Sequence, residues 1–235
     1  MAHTRVSIKA RTQSASNPIT TAITVPVGCT VMVVLMNVIA GSVRTGALTW
    51  GEFTLSTPAQ SPQIDVTAPE ASAELWYLLN PPTGVSKTLT IPNGFARTIF
   101  YTVEGGSAAA GGTSAFDASN GGHATAVNPT PGAITITEAG EAVWAIAAGG
   151  WTTWAPSAQV GTIIANTDDG ATGGGEQYAL NPAIGSFTLS WTFGTSDDWG
   201  SVVAAFKEVP PQVLQDYMGV DCASAGVISV GEKIR

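Results

Sequence analysis

Residues 74–84 read ELWYLLNPPTG, and two structural statements are packed into them. Side chains in a strand alternate between faces, so Glu74, Trp76 and Leu78 share one face while Leu75, Tyr77 and Leu79 share the other. Both sets are mostly apolar, which predicts a strand buried on most of both faces. Asn80, Pro81, Pro82 and Gly84 then end the ladder, because proline lacks an N–H donor and fixes its own φ.

The same pattern recurs outward along the chain. TVMVVLMNVI (30–39) is a valine-rich run whose length and β-branching predict a central strand covered on both faces. GALTWGEFTL (46–55) reads as two short strands pinched at Gly51, and KTLTI (87–91) as the antiparallel neighbour of the opening strand across the PPTG turn. TIFYTV (98–103), VGTIIAN (160–166) and SVVAAFKEV (201–209) are further strands, and AITIT (133–137) with AVWAIAA (142–148) predicts a hairpin around EAGE. SFTLSWTF (186–193) has the cleanest alternation, with Phe187, Leu189, Trp191 and Phe193 expected inward. The glycine-rich stretches 104–132 and 167–177 lack a period and read as surface loops.

With 235 residues, 44% hydrophobic content, 27 glycines and 14 prolines, about ten short strands and no long helix, the chain is expected to be all-β, an antiparallel β-sandwich or jelly roll. No repeat at a solenoid or propeller period is visible. The expected division is an N-terminal arm (1–20), one sandwich domain (21–209), and a C-terminal short helix and tail (210–235), the helix carrying Val213, Leu214, Tyr217 and Met218.

Charge narrows the function. A net charge of -8 argues against nucleic-acid binding, which needs clustered Lys and Arg. Up to Gly51 every charge is positive: Arg5, Lys9, Arg11 and Arg44. Between Arg97 and Lys207 there is no Lys or Arg, but there are Glu104, Asp117, Glu138, Glu141, Asp168, Asp169, Glu176, Asp197 and Asp198. Either the acids form a solvated surface beside a disordered basic start, or the basic segment docks on the acidic body of a neighbouring copy. The N-terminus lacks the apolar core of a secretory signal, and residues 31–41 are too short to span a bilayer, so neither cleaved export nor membrane insertion is expected.

The order apolar strand, TWG turn, LWYL strand, NPP-G turn, continued by TIFYTVEGG, GAITITEAGEAVWAIAA and SFTLSWTFGTSDDWGSVVAAFKEV, resembles a family of jelly-roll β-sandwich domains. These occur in virion proteins of tailed phages and in large bacterial surface proteins. The resemblance covers roughly residues 20–209. It implies a jelly-roll or concanavalin-like sandwich with an external, non-catalytic role, and it carries no catalytic residues across.

Candidate chemistry is sparse. Glu74, Glu138 and Glu141 could supply paired carboxylates for glycoside hydrolysis, though nothing in their spacing singles them out. A hydrolytic triad has only His3 and His123 to draw on. Asp168, Asp169, Asp197 and Asp198 are hard oxygen ligands suited to calcium, but aspartates also begin turns. Trp151 and Trp154 are the best candidates for stacking on a sugar, or else they plug the end of the core. Cys29 and Cys222 either form a bridge, within or between subunits, or stay as thiols.

The leading expectation is therefore a structural, non-enzymatic protein on the exterior of a tailed-phage virion: a capsid decoration or head-fibre subunit, or a tail or baseplate protein. It would be made in the host cytoplasm, use no cofactor, and bind other virion subunits including its own copies. The alternatives are a carbohydrate-binding module recognising cell-surface glycan and, third, a glycoside-active enzyme.

Overall fold

The computed structural model describes residues 3–39, 46–64, 71–94, 98–108, 112–150, 158–168, 172–192 and 196–210, and these are all-β. The first half contains β1 (Thr4–Ser14), β2 (Ile19–Thr24), β3 (Val31–Ile39), β4 (Thr49–Trp50), β5 (Phe53–Thr54), β6 (Gln63–Ile64), β7 (Ala71–Leu79), β8 (Ser86–Ile91) and β9 (Ile99–Ser107). The second half contains β10 (Thr113–Ala126), β11 (Ile134–Ile136), β12 (Ala142–Gly150), β13 (Ala158–Val160), β14 (Thr162–Asp168), β15 (Thr172–Leu180), β16 (Gly185–Phe187), β17 (Ser190–Thr192) and β18 (Asp197–Val209).

Pairing in the first half is nested and antiparallel: β1 with β9, β2 with β8, β3 with β7, β4 with β5. That is the pairing of a long hairpin rolled up on itself, a jelly roll. It yields one sheet ordered β1-β9-β3-β7-β6 and another ordered β2-β8-β4-β5. The second half repeats the pattern, with β10-β18-β12-β15-β14 as the large sheet and the ribbons β11-β16 and β13-β17 opposite it.

The duplication can be traced in the residues. Tyr77-Leu78-Leu79-Asn80-Pro81-Pro82-Thr83-Gly84 matches Tyr178-Ala179-Leu180-Asn181-Pro182-Ala183-Ile184-Gly185, a Y-x-L-N-P-x-x-G corner present once per roll. Asn80 and Asn181 both adopt positive φ, at 49° and 54°, a conformation asparagine tolerates better than most residues. Their backbone N–H groups donate to Thr30 O at 2.7 Å and Glu141 O at 2.8 Å, in each roll the residue just before the facing strand. The motif turns the chain from one sheet to the other, which corrects two expected hairpins. β8 is not the partner of β7, and β11 is not the partner of β12, because in a nested roll successive strands lie in opposite sheets.

The two large sheets pack face to face, giving four layers and three cores. Met32, Val34, Met36, Trp76 and Leu78 point into the first roll, with Trp50 and Leu89 opposite. Val31, Val33, Leu35, Leu75 and Tyr77 point the other way, against Trp144, Ile146, Val202 and Phe206 of the second roll. The third core holds Val143, Ala145, Leu189, Trp191 and Trp199. β3 and β7 are thus covered on both faces, as their patterns require. Leu189 and Trp191 are buried and Phe187 is partly buried, as expected of SFTLSWTF, but the single strand expected there is two, β16 paired with β11 and β17 paired with β13, and Phe193 lies outside the described residues.

Two further expectations are overturned. The N-terminal arm is no arm, since Thr4–Ser14 forms the edge strand β1 against β9, with register shifts between Ser7 and Lys9 and between Lys9 and Thr12. The glycine-rich stretches are not loops, since they supply most of β10 and β15. Within these strands glycines make room for neighbours: a Cβ on Gly175 would lie 2.5 Å from Trp191 Nε1, and one on Gly121 would lie 2.7 Å from Gln60 Cβ. The expected C-terminal helix and tail lie outside the described residues.

Candidate functional site

The contact between the rolls is reciprocal, as at an isologous interface. The strand registers make Arg5 of β1 equivalent to Phe116 of β10, and His3 equivalent to Ser114. Tyr77 of the first roll stacks on Phe116 of the second, at 5.3 Å between ring centroids. Its counterpart Tyr178 of the second roll takes Arg5 of the first over its ring at 4.8 Å. His3 and Ser114 meet, with His3 Nε2 and Ser114 Oγ 2.9 Å apart, and each also bonds across to the other roll. His3 Nδ1 donates to Gly140 O at 2.8 Å, and Ser114 N donates to Asn80 Oδ1 at 3.0 Å.

This pseudo-twofold relation is broken in one respect. One flank of the interface is an aromatic cluster of Tyr77, Phe116, Phe206 and Trp144. The equivalent flank is a polar seam. There Glu104, fully buried on β9, accepts from Arg5 Nε at 2.5 Å and from Arg5 Nη2 at 2.9 Å. Glu176, fully buried on β15, accepts from Arg11 Nη1, and Arg11 lies 4.9 Å over the Phe100 ring. Asn37 completes the seam, close enough that a Cβ on Gly174 would lie 2.6 Å from its Nδ2. Burial pushes the Glu176 carboxyl up to about 6 against the pull of Arg11, with Glu104 adding to the rise. Burial raises the Glu104 carboxyl as well, in part offset by Arg5.

Buried ion pairs repay their desolvation only with good geometry, and apolar packing of similar volume often does as well. The aromatic flank shows that the interface can be closed without charge. The seam is therefore the feature that packing alone does not demand. It also corrects the charge reading: the basic segment meets the acidic interval within its own chain, at Glu104 and Glu176, and these acids together with Glu141 are buried rather than solvated.

The other sequence candidates fall apart in space or have local duties. Glu74 is buried and accepts from Trp76 Nε1 at 2.8 Å. Glu141 caps its own turn, accepting from the backbone N–H groups of Thr137 at 2.8 Å and Glu138 at 2.9 Å, and burial raises its carboxyl. Glu138 lies 3.6 Å from Lys207. His123 Nδ1 lies 3.2 Å from Gln63 Oε1, far in the fold from His3. Asp198 accepts from Thr125 Oγ1; Asp169, Trp151, Trp154 and Cys222 lie outside the described residues, as do the side chains of Asp168 and Asp197. Among the described residues there is no group of three His, Cys, Asp or Glu able to hold a metal ion. Cys29 is a buried free thiol whose burial raises its pKa.

The sequence pointed to Arg5, Arg11, Glu104 and Glu176 only as members of opposite charge runs. The signal that could have paired them is the repeated Y-x-L-N-P-x-x-G corner, which aligns the two halves. Comparisons with family models, with curated proteins and with solved structures found no match.

Proposed function

We propose that this chain is a structural subunit on the exterior of a tailed-phage particle, working through contacts with neighbouring subunits rather than through catalysis. The observation that carries the reading is the double jelly roll itself. Its two large sheets are joined by Arg11 on Glu176 and Arg5 over Tyr178, and jelly rolls recur in viral capsid proteins. Among the described residues, its large sheets end in strands with one ladder partner, β1 with 11 residues and β10 with 14, which are edges onto which another chain can pair. The resemblance noted in the sequence points the same way. The glycan-binding alternative rests on Trp151 and Trp154, which lie outside the described residues.

The test is to purify intact particles of the phage encoding the chain on a density gradient and probe them with antibody to the folded protein. Surface labelling of intact particles is expected. Recovery of the protein only in the particle-free fraction would overturn the assignment.

A further inference from the structure

β1 and β10 occupy equivalent places at the edges of the two large sheets, yet they are held differently. β10 anchors through the Phe116 stack on Tyr77 and Phe206. β1 has no fully buried residue, whereas its partner β9 is buried at every position but the last. Two register shifts interrupt the β1 ladder. Its side-chain attachments are largely polar: within the first roll Arg5 pairs with Glu104 and Arg11 lies over Phe100, and across to the second roll Arg5 lies over Tyr178, Arg11 pairs with Glu176 and the preceding His3 meets Gly140 and Ser114, while Val6 and Ile8 add partly buried apolar packing. Losing β1 would leave the buried Glu104 and Glu176 without their guanidinium partners, so β1 gives up its edge only where an equivalent strand takes its place. β9 keeps a strand edge able to pair, with Glu104 and the opposing Glu176, both buried while β1 is in place, deprived of Arg5 and Arg11.

We infer that β1 is an exchangeable strand, and that a second copy of this chain docks by placing its own β1 on the vacated β9 edge, remaking the Arg5–Glu104 and Arg11–Glu176 pairs between chains. The charge complementarity that holds β1 at home is equally available in trans, and an open edge demands a strand. The tether sets the geometry. Residues 15–18 connect β1 to β2, and four extended residues span at most about 14 Å. Exchange therefore brings two copies into direct contact and does not string them on a flexible leash. The inference does not rest on the particle reading, since it concerns the purified chain alone.

Thr4 and Ser107 face each other in the β1–β9 register, where opposed Cα atoms lie about 4.5 to 5.5 Å apart, inside the range a disulfide spans. In a background carrying Cys29→Ala and Cys222→Ala, one chain bears Thr4→Cys, a second bears Ser107→Cys, and a third bears both. The third is expected to close internally on oxidation. The first two, mixed at high concentration or refolded together, are expected to give a disulfide-linked species of twice the chain mass containing one of each. Its share should rise with protein concentration, and neither chain alone should form it. If the mixture stays monomeric while the third chain closes internally, β1 does not exchange. If the third chain fails to close, β1 does not lie on β9, and the inference falls with it.

Discussion

Gly175 is squeezed by a tryptophan that lies over it in the third core. A Cβ there would meet Trp191 Nε1 at 2.5 Å and Cδ1 at 2.9 Å, and Trp191 is fully buried with no room to retreat. Gly175→Ala should therefore destabilise by about 1 to 3 kcal/mol, the usual cost of overpacking. Trp191→Ala should cost about 3 to 5 kcal/mol by loss of a large buried ring. Urea unfolding of the two variants checks both values, and a shift in Trp191→Ala under about 0.5 kcal/mol would put that ring at the surface. Glycine runs look alike in sequence whether they permit a turn or make room for a neighbour. That is why residues 172–175 and 121–122 read as loop: the ring and loop that need the space come from distant parts of the chain.

At the level of elements, the strands themselves were legible where a β-branched apolar run was unbroken, as in β3 and β7, and the buried face was legible where alternation was strong, as in SFTLSWTF. Their partners were not, because nesting pairs the first strand with the last and no local signal reports it. β1 shows the consequence. Read as a polar arm, it would be dispensable to the fold; as the edge cover of β9, it is not. Deletion of residues 1–16 should lower the melting temperature and increase binding of a dye for exposed apolar surface, whereas an unchanged melt would restore the arm. The seam beneath β1 makes a separate prediction. Glu176, Glu104 and Glu141 titrate above their unfolded values in the folded chain. The native state therefore holds their protons more tightly, and the stability they contribute is full below about pH 4.5 and lost as pH rises through the folded values, about 6 for Glu176. For Glu176 alone the difference is about 2 kcal/mol. Melting temperature should fall between pH 5 and pH 7.5, and Glu176→Gln should flatten that slope. A slope identical to the parent chain would show that Glu176 does not titrate in this window.

For the whole molecule, the all-β sandwich was predictable from composition and turn spacing, but its doubling was not. The two halves share only the Y-x-L-N-P-x-x-G corner and scattered apolar positions, and the strand between the repeated corners differs in glycine content and in loop length. What joins the rolls is the shared second core. Val31, Val33, Leu35 and Leu75 share a buried core with Trp144, Ile146, Val202 and Phe206 of the opposite sheet, so neither large sheet is complete by itself. The rolls should consequently unfold together. Hydrogen exchange followed by mass spectrometry along a urea titration tests this directly, by comparing peptides from β3 with peptides from β12. One packed double roll predicts that both lose protection at the same urea concentration; loss of protection in one roll while the other remains protected would contradict it.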